Sequence, residues 1–578
     1  MAIQIYYDGD CPFCANYVKL LRIREGYGDV TLINLRDDDD ARKELQCEGF
    51  DLDEGMVVDT GDRRLGGADA ANALAMMSSG SDLLNRMNRM FLGSRALSAI
   101  VYPVLRSGRW LTLFLLGRKG IGEPDPGTTA RLEVFSILFA LFSLFHFFNY
   151  AFEYNRFPPQ WDQFAILVTA IWLFVRPGSG RALFFLVLAS SISTYVQAPA
   201  QSNHTMVRTA VLLGYWASFI YTMIRGRRWS DIFGNFAVAG QGALLVMYFF
   251  GIFHKLNDDF LNPISSCAIA LWNQMPPPLS SVQHPLMDHA AIYGTFVVEG
   301  MLIVALLLPR YRHYGITFGI LFHLLLAFSN YAMYIAFTSL SISLHALFLN
   351  GDAAQRIMAS PEMAWIKSRV RNPIYIFLFA TIVAALIFAA DAGNYSLVTL
   401  IVCPLILPFC YLVIRYGASN KPLLKAGNRR PALTIGIVVT TLFFANGWMP
   451  YLGLKSAQVI SMFSNLRLEA GVSNHLIMPR PGPFTYLDDV AVIQEDGGSP
   501  FLAWHKTDEI SIVYYDLLAH LDQFPNVTPS FSVTGRQFDN VSASELQDEI
   551  DQTLHGPIFR KWFHFQPVDL KRPEMCGF

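Results

Sequence analysis

Ile3-Gln4-Ile5-Tyr6-Tyr7-Asp8-Gly9-Asp10-Cys11-Pro12-Phe13-Cys14 decides how the first part of this chain is read. Ile3, Ile5 and Tyr7 recur with the two-residue period of a half-buried strand. The Cys-x-x-Cys pair follows that strand and opens a helix, which places Cys11 near a helix N-terminus. There the peptide dipole and free N–H groups favour a thiolate, and Cys14, one turn on, is placed to resolve a mixed disulfide. A zinc site needs four ligands, and residues 1–145 hold no His and only one further Cys, Cys47, so no metal is expected. Two buried thiols without chemistry are the other reading.

Outward from this stretch, residues 1–82 read as a small α/β domain. The expected order is strand 2–7, helix 12–25, strand 30–35, a hairpin near 56–65 turning at Asp59–Asp62, and helix 68–78. No basic segment followed by an apolar one precedes the first strand, so this domain is expected to stay in the cytoplasm. Residues 83–125 differ. Arg86, Arg89, Arg95, Arg106, Arg109, Arg118 and Lys119 are interleaved with Leu, Met, Phe, Val and Trp110. Such a basic amphipathic stretch reads as a segment lying on an anionic membrane surface, with a solvated linker helix as the alternative.

The remainder is too apolar for a soluble enzyme. Of 578 residues 53% are hydrophobic and 16% charged, against about 25% charged in soluble domains. A net charge of −2 gives no reason to expect a nucleic-acid partner. Residues 130–449 contain apolar runs of the length a bilayer requires, about 20 residues each. Eleven are expected: 132–152, 164–175, 182–196, 205–224, 236–253, 289–308, 314–330, 332–349, 373–390, 396–414 and 432–449. With the N-terminus inside, sixteen Lys and Arg between Arg176 and Arg430 fall in cytoplasmic loops, against Arg156 and Lys255 outside, with Arg208 arguable. By the positive-inside rule the topology is N-in, C-out. Residues 450–578 are polar again and are expected to form an extracytoplasmic β-rich domain, with Ile510–Tyr515 as one strand and Cys576 lacking an evident partner.

Ionisable residues in membrane spans are expensive and therefore functional candidates. They are His146, Arg208, Lys255, Glu299, His323 and His345, joined by His204 in the loop before the fourth span. His204 and Lys255 are expected at the same, outer, membrane face. A poorly solvated lysine amine can serve as a base near neutral pH. The alternative is an interfacial anchor, with Lys255 paired to Asp258 or Asp259.

Two family resemblances add to this. Tyr7–Cys14, Gly66-Gly67-Ala68-Asp69-Ala70 and the tail Tyr102-Pro103…Arg118-Lys119 resemble the DCC-type thiol-disulfide oxidoreductase domain, which implies a thioredoxin-like fold and a Cys11/Cys14 redox pair. No proline occurs between Pro12 and Pro103, so the cis-proline with which thioredoxins dock substrates has no counterpart. Tyr248…Gly251…Lys255-Leu256-Asn257-Asp258-Asp259-Phe260, Ser202-Asn203-His204-Thr205 and Phe322-His323 resemble segments of the HTTM family, which includes vitamin K-dependent γ-glutamyl carboxylases. That resemblance implies Lys255 as the catalytic base on a reduced quinone and His204 as its catalytic assistant. Glu299, His323, Asn257, Asp258 and Asp259 are the candidate cofactor contacts around that site. His254 and Phe260 depart from the carboxylase pattern of Lys and Trp.

Three functions follow. The first is an integral-membrane, carboxylase-like enzyme. It couples oxidation of a vitamin K- or menaquinone-like quinol, with O2 and CO2 as co-substrates, to chemistry on an extracytoplasmic peptide or small molecule, and it is fused to a cytoplasmic dithiol domain. The second is a membrane thiol-disulfide oxidoreductase that exchanges electrons with quinone through Cys11/Cys14 and meets a cytoplasmic thiol partner. The third is a non-enzymatic transporter or scaffold.

Overall fold

In the computed structural model of the protein, the strand expected at 2–7 runs over Ile3–Tyr7 (β1). The structure describes residues 3–20, 29–78, 83–118, 120–121, 125–153, 160–199, 201–225, 229, 231–331, 334–370, 372–375, 377–378, 381–382, 395–419, 429–461, 463–554, 556–573 and 576. Cα packing separates two units: Met1–Thr129 with Ser179–Arg181 and Tyr215–Phe236, and the remaining residues.

In the first unit, β1 is followed by α1 (Pro12–Leu20), β2 (Val30–Asn34), α2 (Asp39–Cys47), β3 (Val57–Asp59), β4 (Arg64–Gly66) and α3 (Gly67–Met77). The sheet order is β2-β1-β3-β4, with β1 parallel to β2 and the other pairs antiparallel. The alternation in β1 sends Ile3 and Ile5 to a core with Val58, Ala70 and Leu74, while Tyr6 joins Leu35, Leu45, Leu52 and Val57 on the opposite face. Both faces of the sheet are therefore covered. The expected strands, hairpin and third helix are present within a residue or two, and positions 21–25 of the expected first helix lie outside the described residues.

Helix α2 was not expected. Its signal is the acidic run itself: Asp38 caps the helix by accepting from the Ala41 N–H at 2.9 Å, and Asp39 and Asp40 occupy the first turn. Carboxylates there satisfy free N–H groups and oppose the positive end of the dipole.

Helices α4 (Leu83–Leu92) and α5 (Arg95–Leu116) were expected to form a separate segment on a membrane surface. They instead pack on α3 through Ala71, Ala75 and Leu92, with Val101 and Tyr102 against them. The unit thus continues past residue 82.

Across the described residues seven helices are long and apolar enough to cross a membrane: Ala96–Leu116, Pro126–Phe148, Asn203–Arg225, Asp231–Phe253, Pro285–Leu307, Leu397–Tyr416 and Arg430–Leu452. This is consistent with a multi-pass membrane protein, and it is fewer than the eleven spans expected. Trp161–Val175 has 15 residues; at 1.5 Å per residue that is about 22 Å, short of a hydrocarbon core of about 30 Å. Arg312–Ala327 has 16. Gly180–Gln197 carries Ser190, Ser191, Ser193 and Thr194. The expected span 332–349 is a helix, Tyr334–Ala346, that bends by 118° into Gly351–Met358. The expected span 373–390 lies largely outside the described residues.

The polar C-terminal part, within the second unit, corrects two expectations. It is a mixed α/β fold with one small antiparallel sheet, ordered β6-β5-β7-β8, from β5 (Val490–Glu495), β6 (Ile512–Val513), β7 (Ser530–Val533) and β8 (Arg536–Phe538). Of the expected strand 510–515 only Ile512 and Val513 join the sheet, with Ser511 bridging to Val568. The helix Tyr514–Gln523 takes over because Leu517, Leu518 and Leu521 recur at helical spacing and bury against Phe531 and Tyr451. Cys576, moreover, has a partner: it forms a disulfide with Cys267.

Candidate functional site

Cys11 stands immediately before α1, held by the turn that leaves β1. Its N–H donates to the Asp8 carbonyl at 3.1 Å, and its carbonyl accepts from Ala15 at 2.9 Å. Asn34, at the end of β2, accepts from the Gly9 N–H at 2.8 Å and leaves no room for a side chain at Gly9. Sheet and turn therefore fix the start of the helix. The Cys14 N–H donates to Cys11 Sγ at 3.2 Å, which is the helix N-terminus contact that the spacing implies.

The two thiols are driven apart in acidity. The Cys11 thiol is drawn down to about 6 by hydrogen bonding from Cys14; burial opposes this, and the Arg109 guanidinium assists. Cys14 is pushed far above the usual thiol range, first by its hydrogen bond to Cys11 and then by burial. One sulfur is thus a thiolate at neutral pH while its neighbour retains the proton, the division of labour that a nucleophile and a resolving cysteine require. Both sulfurs are covered, with Cys11 at 0% exposure, and Phe13 between them is 59% exposed.

Beneath the pair lies a buried charge network. Asp8 accepts from Arg36 Nε at 2.8 Å and from Arg109 Nη2 at 3.0 Å. Arg109 Nη1 donates to the Asp53 carbonyl at 2.6 Å, and the Asp53 carboxylate accepts from the Ile121 N–H at 2.7 Å. Arg109 comes from α5, so a residue expected on a membrane surface instead supports the dithiol. The signal in the sequence was a carboxylate, Asp8, closing an apolar strand with no nearby cation in sequence.

The second set of candidates lies in the second unit, around a cavity of about 480 Å³ after the helix Asp231–Phe253. Lys255, Glu299 and His323 line it. Lys255 Nζ is buried and donates to Glu299 Oε1 at 2.7 Å, rather than pairing with Asp258 or Asp259. Glu299 has room for its carboxylate because residue 251 is glycine: a Cβ there would lie 2.7 Å from Oε2.

Several candidates stand elsewhere. His204 does not line the cavity; its Nε2 meets His146 Nδ1 and Ser202 Oγ, each at 3.2 Å. Asn257, Asp258 and Asp259 do not line it either. Asn257 caps the short helix Asp258–Leu261 through its Oδ1 and donates Nδ2 to the carbonyls of His254 and Ser464; the Asp259 carboxylate accepts from Asn474. These residues tie the segment after the membrane helix to loop 450–476. Tyr248, given no role from the sequence, and His345, an ionisable candidate, join His323: the Tyr248 hydroxyl lies 2.8 Å from His323 Nε2 and 3.1 Å from His345 Nε2. Among the described residues no three His, Cys, Asp or Glu are grouped to hold a metal ion.

Comparison with known families matches residues 5–113 to the DCC1-like thiol-disulfide oxidoreductases. The matched segment contains both cysteines, Asp8, Arg36, Asp53 and Arg109, and it passes the expected boundary at 82. No curated protein and no solved structure matches.

Proposed function

We propose that this chain is a membrane-bound thiol-disulfide oxidoreductase that works through Cys11 and Cys14 in a thioredoxin-like domain. The observation that carries this reading is the match of residues 5–113 to an oxidoreductase family over a segment in which the Cys14 N–H reaches Cys11 Sγ at 3.2 Å. In the reducing direction the Cys11 thiolate attacks one sulfur of a substrate disulfide. A mixed disulfide forms, and the first substrate sulfur leaves and takes a proton. Cys14 then loses its proton and attacks Cys11 Sγ, closing the Cys11–Cys14 disulfide and releasing the second substrate sulfur. Two electrons pass to the substrate, and a cytoplasmic dithiol partner or a membrane quinol returns two electrons and two protons to the resulting disulfide, becoming a disulfide or a quinone in turn. Gly55-Met56 precede β3 where thioredoxins carry proline, so substrate docking rests on other contacts, for which the exposed Phe13 is the nearest apolar surface.

The basic loops expected on the inner side support a cytoplasmic position for this domain and an outside position for residues 450–578. The Cys267–Cys576 bond supports the second placement, because structural disulfides persist in oxidising compartments. The test uses the full-length protein in membranes with a small aromatic disulfide. Cys11→Ser should abolish its reduction, and Cys14→Ser should accumulate the mixed disulfide on Cys11. Full activity in Cys11→Ser would overturn the reading.

The cavity favours a second activity, quinol chemistry at Lys255 and Glu299. Lys255 Nζ and Glu299 Oε1 stand 2.7 Å apart in an apolar pocket and Glu299 Oε2 meets no partner among the described residues, so a quinol hydroxyl brought against the pair meets an acceptor. His204, which lies with His146, has no part in this reading. Carboxylation, with its O2 and CO2, gains no support from the family match, and the proposal stops at the quinol. With an electron-accepting dye added to take the two electrons, Lys255→Ala should remove menaquinol oxidation while Cys11→Ser leaves it intact; the reverse result would assign all redox chemistry to the dithiol.

A further inference from the structure

The cavity behind Lys255 is walled mainly by apolar side chains, among them Met247, Leu271, Phe322, Phe337 and Phe463, so it suits a largely apolar occupant. Two of its polar atoms stand apart from the rest. Nδ1 of His323 and Oε2 of Glu299 are buried and meet no hydrogen-bond partner among the described residues. Unpaired buried acceptors are costly and call for a donor.

That Nδ1 is an acceptor follows from a chain of contacts that begins at a backbone carbonyl. The Ser341 carbonyl, 2.7 Å from His345 Nδ1, can only accept, so His345 carries its hydrogen on Nδ1. In a neutral ring its Nε2 is then a lone pair, and it takes the Tyr248 hydroxyl hydrogen at 3.1 Å. Having given that hydrogen away, the Tyr248 oxygen accepts from His323 Nε2 at 2.8 Å. The hydrogen of His323 therefore sits on Nε2, and Nδ1 presents a lone pair. Reversing the chain would make His345 a cation at a site with 0% exposure and no carboxylate in hydrogen-bond contact, which its desolvation disfavours. Gly319 makes room for the first ring in the chain, since a Cβ there would collide with His345 Nε2.

We propose that this cavity binds a largely apolar ring compound through a hydroxyl group that donates to Nδ1 of His323, with Tyr248 and His345 as positioning residues that hold that nitrogen as an acceptor. The proposal deepens the quinol reading of the same cavity, since a quinol is one such compound, and it adds which atom selects the hydroxyl form.

The experiment measures binding of two probes to the full-length protein in nanodiscs under anaerobic conditions: 1,4-dihydroxynaphthalene and its 1,4-dimethoxy analogue, which keeps the ring and lacks the donors. The dihydroxy probe should bind on the order of tenfold more tightly, the worth of one hydrogen bond to a buried acceptor. His323→Phe should erase that preference and leave the dimethoxy affinity as it was, which also shows that the variant is folded. Tyr248→Phe, which frees the His323 tautomer, should reduce the preference in the same way; this second variant decides the matter if His323→Phe binds neither probe. Equal affinities in the unaltered protein, or a preference that survives both substitutions, overturns the proposal and leaves the quinol reading standing. Failure of the unaltered protein to bind either probe overturns both.

Discussion

At Cys11 the electrostatics make a directional claim about reactivity. Alkylation follows the thiolate fraction, so the rate of Cys11 modification by iodoacetamide should rise through about pH 6 and level off by neutrality, whereas an unperturbed thiol rises near 8.5. Arg109→Gln removes a positive charge that favours the thiolate and should move this profile to higher pH; an unchanged midpoint would exclude Arg109 as an electrostatic support. In the membrane unit, Lys255 and Glu299 form a buried pair at 2.7 Å. Lys255→Met should cost about 3–5 kcal/mol because it strands a buried carboxylate, while Lys255→Met with Glu299→Leu should recover most of that. Thermal unfolding in detergent reads the difference. Part of this residue scale was legible: Cys11 and Cys14 fall in the matched segment, and Lys255, Glu299 and His323 line one cavity. The partners were less so. Arg109 stands 101 residues from Asp8, and His204 was matched to Lys255 by membrane face and by the HTTM resemblance, neither of which sees that His204 meets His146.

Among the elements, short-range pattern was a sound guide where the backbone itself decides. β1, the β3–β4 hairpin and α3 follow from alternation and turn residues, and α2 from its acidic cap would have followed too. The helix Tyr514–Gln523 shows where pattern misleads: Ile510–Tyr515 is rich in strand-forming residues, but the leucines beyond it bury only as a helix. Span counting fails for the same reason, because an apolar run in the middle of a bundle need not be long enough to cross alone. After the last membrane helix, Lys455 is wholly buried, its Nζ near the Trp562 carbonyl at 3.3 Å, and burial draws it down to about 7. A lysine lowered from 10.5 to about 7 penalises the folded state fully below pH 7, and the penalty relaxes as the pH rises toward 10.5. That contribution is about 1.4 kcal/mol per pH unit across the window. Lys455→Met should therefore raise the melting temperature of this region most at pH 6 and least at pH 10, and a uniform shift would show that burial does not lower the lysine's affinity for its proton.

Across the whole molecule the proposed sidedness can be checked by chemistry at the cysteines. In intact cells a membrane-impermeant reductant should open Cys267–Cys576 and expose both to maleimide, while Cys11 reacts only after the membrane is permeabilised. Labelling in the reverse order would invert the topology. Cys576→Ser should cost roughly 2–5 kcal/mol, since the bond restricts a very long loop of the unfolded chain, and it should leave reduction by Cys11 intact. Sequence could not pair Cys267 with Cys576, because 309 residues separate the two.

That separation has a practical corollary. More than half of the polypeptide lies inside one covalent ring closed by the Cys267–Cys576 bond. A protease that nicks any loop within the ring leaves both fragments travelling as a single species until the sulfurs are parted. The ring, moreover, cannot be sealed until residue 576 has been synthesised and delivered to the compartment that holds Cys267, so sealing waits on insertion of every helix between them.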